Sequence, residues 1–134
     1  MEKYIWEIGS AIFVYLGIIH LIFTFFTNKF SSRSEMAIEV MKSSTPILTK
    51  DTSLWKAWLG FNGSHSIGAI FIGVINIYLA HFYFDLFTPF LFIFNIVIVS
   101  FYLWLAKRYW FRIPFYGILL TLVSYCTTFI ITLL

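Results

Sequence analysis

Hydrophobic residues fall into four long blocks, broken by one long polar stretch and two short junctions. Crossing a hydrocarbon core of about 30 Å takes roughly 20 apolar residues in a helix, and the blocks predict helices over about 4–26, 54–83, 89–106 and 114–133. The second block is the most informative. At about 100° per residue, Trp55, Trp58, Asn62, His65, Ser66, Ala69, Gly73 and Asn76 fall within one arc of roughly 100°. Leu59, Phe61, Ile67, Ile70, Phe71, Val74, Ile75 and Ile77 occupy the other faces, as a helix would present to lipid or to a large apolar partner. The first block repeats the arrangement, with Trp6, Ser10, Phe13, Gly17, His20 and Thr24 on one face.

Between the first two blocks, residues 27–53 are polar and carry both signs of charge. Ser34 can cap a short helix starting at Glu35 and stopped by Pro46, with Met36, Ala37, Val40 and Met41 as its apolar side. Such a segment suits a membrane surface; an ordinary mobile loop is equally compatible. Asp51 or Thr52 is expected to cap the second long helix. Gly60, Ser64 and Gly68 form a small-residue ridge that would let another helix approach closely, within one chain or from a second copy. Thr88 and Pro89 supply an N-cap and first turn for the third helix, with Asn95 and Tyr102 on one side. Pro114 is expected to open the fourth. There Tyr116, Val123 and Thr127 share a face, with Ser124 and Thr128 close by. His81 and Asp85, four residues apart, are expected to pair.

Composition turns these helices into spans. The chain of 134 residues is 60% hydrophobic and 11% charged, against about 45–50% apolar and about 25% charged in soluble domains. So short a chain cannot bury that excess in its own interior. The expected fold is all-α: a polytopic membrane protein, one domain over 1–134, forming a four-transmembrane-helix bundle with a longer cytoplasmic loop between helices 1 and 2. The first block is too long for a typical signal-peptide core and lacks a small-x-small cleavage site after it, so it reads as a retained span.

The nine Lys and Arg against six Asp and Glu form no stripe for nucleic acid. Lys29, Arg33, Lys42, Lys50, Lys56, Lys107, Arg108 and Arg112 all fall on one side of a four-span topology. By the positive-inside rule that side is cytoplasmic, with both termini outside. The single cysteine, Cys126, cannot form an intramolecular disulfide.

Candidate chemistry centres on two imidazoles. Helices 1 and 2 run antiparallel, so His20 and His65 share a level about 9 Å inside the cytoplasmic boundary. Each lies on the polar and small face of its helix, and polar side chains inside hydrocarbon normally face the interior. One reading is an interhelical hydrogen-bond cluster that only holds the bundle together. Another is a binding or accessory protein holding a lipophilic ligand or partner in the cytoplasmic half. Its candidate ligand-binding residues are His20, Trp55, Trp58, Asn62, His65, Ser66 and Asn76, and its partners are membrane lipid, a lipophilic small molecule, a second copy or another membrane protein. A third is a membrane enzyme or electron-transfer protein in which His20 and His65 ligate haem or serve lipid modification. No metal-ligand motif accompanies them. Ser64 or Ser66 as a nucleophile activated by His65 is disfavoured, because adjacent helical residues diverge.

The segment Trp55-x-x-Trp58-x-Gly60-Phe61-Asn62-x-Ser64-His65-Ser66 resembles a signature of small uncharacterised bacterial membrane proteins with four predicted helices. A looser likeness covers Met41 to Pro46 and the stretch from Arg108 through Tyr109, Trp110, Phe111, Arg112 and Ile113 to Pro114. The resemblance implies the same bundle in a bacterial inner membrane and brings no activity with it.

Overall fold

The computed structural model describes all 134 residues, Met1–Leu134. It is all-helical: α1 Glu2–Phe25, α2 Glu35–Ser43, α3 Leu54–Phe82, α4 Pro89–Tyr109 and α5 Arg112–Leu133, with one 3-10 turn at Phe84–Leu86. The helices α1, α3, α4 and α5 are each long and apolar enough to cross a membrane. Their outward side chains include Phe61, Phe71, Phe90 and Phe101, all more than half exposed. Apolar surface this extensive asks for an apolar surround.

The ends of the helices follow local chemistry. Ser34 caps α2, its hydroxyl accepting from the Ala37 amide at 3.3 Å, as the sequence predicts. Thr88 does the same for α4, ahead of Pro89 in the first turn. The start of α3 differs from expectation: Ser53, rather than Asp51 or Thr52, offers its hydroxyl to the Lys56 amide at 3.3 Å. Asp51 instead accepts from the Thr49 hydroxyl. At the other junction α4 continues to Tyr109 and α5 starts at Arg112, so Pro114 sits inside the first turn instead of opening the helix. Proline is tolerated there because the amides of a first turn have no intrahelical partner.

The chain divides into two compact units, Met1–Leu16 with Ala69–Leu134, and Gly17–Gly68. In the first, segments of α1, α3, α4 and α5 pack around Trp6. Its indole stacks on Tyr125 at 3.7 Å between ring centroids and meets Phe87 and Phe92 edge-on at 5.1 and 5.2 Å. Every buried side-chain nitrogen and oxygen has a hydrogen-bond partner. Trp6 Nε1 donates to Asn76 Oδ1 at 3.0 Å, and Asn76 Nδ2 donates to Asn95 Oδ1 at 2.7 Å. Ser10 donates to the Trp6 carbonyl at 2.9 Å. Its one proton is thereby used, so Tyr125 is the donor in the 2.7 Å contact between the two hydroxyls. Thr121 reaches across to the Gly9 carbonyl at 2.9 Å.

Those contacts select the inner face of α5. Tyr116, Val123 and Thr127 are exposed, whereas Ile118, Thr121, Tyr125 and Thr128 are buried. Ser124 lies close to α1, and a Cβ on Gly9 would come within 2.8 Å of its Cβ. On α3, Gly60 and Ser64 of the small-residue ridge face outward. Gly60 has open space where a side chain would be, and Ser64 is exposed. Within the first unit, close approach occurs at Gly73, where a Cβ would lie 2.8 Å from the Ser10 carbonyl oxygen.

At the end of α3, His81 pairs with Glu7 of α1, Nδ1 to Oε1 at 3.2 Å, rather than with Asp85. Because α3 stops at Phe82, Asp85 enters the 3-10 turn and the four-residue helical spacing no longer applies.

Candidate binding site

The second unit, Gly17–Gly68, brings the end of α1 against the start of α3. Gly63 is buried where the two meet, and a Cβ there would lie 3.0 Å from Phe25 Cζ. This close passage sets His20 beside the α3 residues one helical turn apart, Asn62 and His65. His20 Nε2 bonds Asn62 Oδ1 at 2.9 Å, and the two imidazoles meet edge to face at 5.3 Å between centroids. The two rings meet, each half-buried.

The network also fixes hydrogen positions. Asn62 Nδ2 donates to the Trp58 carbonyl at 2.9 Å, which orients the amide with its oxygen toward His20. An oxygen can only accept, so His20 Nε2 carries a proton. In the neutral ring Nδ1 is then the acceptor, suited to a hydroxyl or N–H donor. The backbone beneath is held by Thr24, which donates to the His20 carbonyl at 2.8 Å. Ser66 is fully buried and donates to the Asn62 carbonyl at 2.8 Å. Ser66 therefore secures the Asn62 turn instead of facing a ligand. Ser64 donates to the Phe61 carbonyl at 3.0 Å, which leaves neither serine with a hydroxyl proton for an imidazole to take.

Aromatic rings gather in the same unit. Phe30, from the segment after α1, leans on His20 at 4.7 Å and on Phe23 at 5.8 Å. Sequence reasoning missed Phe30; the signal was a single aromatic within an otherwise polar run. Trp55 and Trp58 stack on each other at 5.3 Å and are both partly buried at the start of α3. Of the seven residues singled out in the sequence, His20, Asn62 and His65 form the cluster, while Trp58 and Ser66 support Asn62 from within α3. Asn76 belongs elsewhere: it sits in the first unit between Trp6 and Asn95.

Haem does not fit this arrangement. Two axial imidazoles must approach one iron from opposite faces of a flat macrocycle. Here the rings touch edge to face, and His20 Nε2 is committed to Asn62. No plane of atoms can pass between them. Nor do three or more His, Cys, Asp or Glu side chains converge on a point that could hold a metal ion.

Four long apolar helices and an inward polar cluster place the chain among helical proteins built to cross a membrane. No family model matches it, and neither a curated protein nor a solved structure does.

Proposed function

We propose that the protein is an integral membrane binding or accessory protein that holds a lipophilic ligand by its polar head at His20, Asn62 and His65. The four long helices span as a bundle, the cation-rich 27–53 and 107–112 junctions face the cytoplasm, and both ends of the chain lie outside. The ligand sits in the cytoplasmic half, and the membrane is a bacterial inner membrane. The observation that carries this reading is the imidazole pair itself. Two half-buried histidines in contact, tied to an asparagine and walled by Phe30, are costly in a spanning segment. The contrast between the two units supports it: the Trp6 network is closed and fully buried, whereas His20 and His65 are only half-buried.

Lipid analysis by mass spectrometry of protein purified in mild detergent tests this. His65→Ala and Asn62→Ala are expected to lose a lipophilic species that the parent and Asn76→Ala retain. Unchanged co-purifying lipid in His65→Ala and Asn62→Ala, with lowered thermal stability, would assign the cluster to scaffolding alone. A lipid-modifying enzyme would use the same imidazoles as proton carriers. Conversion of the retained species to one of different mass on incubation would reveal it.

A further inference from the structure

The segment between α2 and α3 carries apolar side chains that the protein itself leaves uncovered. Ile47 and Leu48 are the most exposed aliphatic residues outside the chain's C-terminus, at 108% and 94%. They are not on a slack loop. The Leu54 amide donates to the Ser44 carbonyl at 2.9 Å, closing the segment at its base. Within it Thr49 N bonds the Pro46 carbonyl at 3.4 Å, so Ile47 and Leu48 are the two central residues of a turn. Thr49 and Asp51 lock the returning side: the Thr49 hydroxyl donates to Asp51 Oδ2 at 3.0 Å and accepts from the Asp51 amide at 3.1 Å. Two aliphatic residues are thus held outward at the tip of a closed turn.

We propose that the Pro46–Thr49 turn is a membrane-inserting tip, seating Ile47 and Leu48 in the leaflet next to the start of α3. This rests on the reading that the four long helices span a membrane. Four observations favour lipid as the occupant. The segment that carries the turn is closed by a hydrogen bond from Leu54, the first residue of a helix long and apolar enough to span, to Ser44. Trp55 and Trp58 follow at once, residues enriched at the headgroup level. On α2 the exposed Met36 and Val40 lie one helical turn apart and add a second apolar patch in the same unit. The exposed Lys42 and Lys50 flank the turn, where ammonium groups meet lipid phosphates. Of the nearby acids, Glu39 pairs with Lys42 at 3.9 Å and Asp51 is engaged by Thr49.

Spin labels placed at Ile47→Cys and Leu48→Cys in the full chain carrying Cys126→Ser, reconstituted in phosphatidylcholine and phosphatidylglycerol nanodiscs, test the proposal. Phe71→Cys on the outer face of α3 serves as the lipid reference and Ser32→Cys as the water reference. The ratio of oxygen to water-soluble nickel-chelate collisions at positions 47 and 48 is expected to exceed that at Ser32 several-fold and to approach that at Phe71. Water-like ratios at 47 and 48 with a lipid-like Phe71 would overturn the inserting tip and leave the spanning helices intact. If those labels were water-like yet immobilised only as protein concentration rises, the turn would instead contact a second copy. A water-like Phe71 would overturn the membrane reading, and the tip with it.

Discussion

Asn76 and Asn62 are the same residue type on the same face of one helix, and they do different work. Asn76 closes a buried circuit: it accepts from Trp6 and donates to Asn95. Replacing it by Ala leaves a buried indole N–H and a buried amide oxygen without partners, at a cost of about 1–3 kcal/mol. Asn76→Ala should therefore lower the detergent melting temperature clearly while leaving co-purified lipid unchanged; an unshifted melting temperature would contradict the circuit. The glycines separate just as sharply. A methyl at Gly73 collides with backbone, the Ser10 carbonyl and the Val14 amide, which cannot swing aside. Gly73→Ala should cost about 1–3 kcal/mol through forced separation of α1 and α3, whereas Gly60→Ala, facing open space within a helix, should stabilise by about 0.5–1 kcal/mol. Equal effects in thermal unfolding would show that the α1–α3 crossing is misplaced.

The element scale shows where sequence periodicity suffices. On α1 one face carries Trp6, Ser10, Phe13, Gly17, His20 and Thr24, and that face is the buried one, with only His20 half-open. The mixture of large apolar and small polar residues on a single stripe made it legible. On α5 two stripes each hold hydroxyl residues, and side-chain type alone does not rank them. What decides is the partner across the gap: Thr121 finds the Gly9 carbonyl and Tyr125 finds Ser10. The α3 glycines carry a related lesson. Four-residue spacing marks a ridge without saying which side of the helix is occupied, and the neighbour passes along Gly63 and Gly73. Helix ends are decided more locally still. Ser53→Ala should destabilise α3 by about 0.5–2 kcal/mol, while Asp51→Ala should fall within about 0.5 kcal/mol. Chemical or thermal unfolding of the two variants compares them directly, and a reversed order would restore Asp51 as the cap.

For the molecule as a whole, four blocks of apolar sequence were enough to identify four helices of spanning length. Composition left no other solvent for their surfaces. The candidate site was legible in part, because His20 lies about six residues before the polar segment and His65 about six residues after apolar residues take over near Leu59. Their meeting at 5.3 Å, the role of Asn62 between Trp58 and His20, and the wall formed by Phe30 depend on how α1 crosses α3, which one helix's periodicity cannot contain. The proposed topology rests on charge: cysteine labels at Lys29 and Lys107 in a Cys126→Ser background should be protected from an impermeant reagent in intact cells, and labels at Lys3 should react. The reverse pattern would invert the orientation and put the histidines in the outer half. The central claim is tested most directly by solid-state ¹⁵N NMR of the imidazoles in bilayers, before and after the co-purified lipid is stripped. The account predicts a proton on His20 Nε2 throughout and an acceptor-type Nδ1 signal that shifts when the ligand leaves; identical His20 and His65 spectra in both states would contradict it.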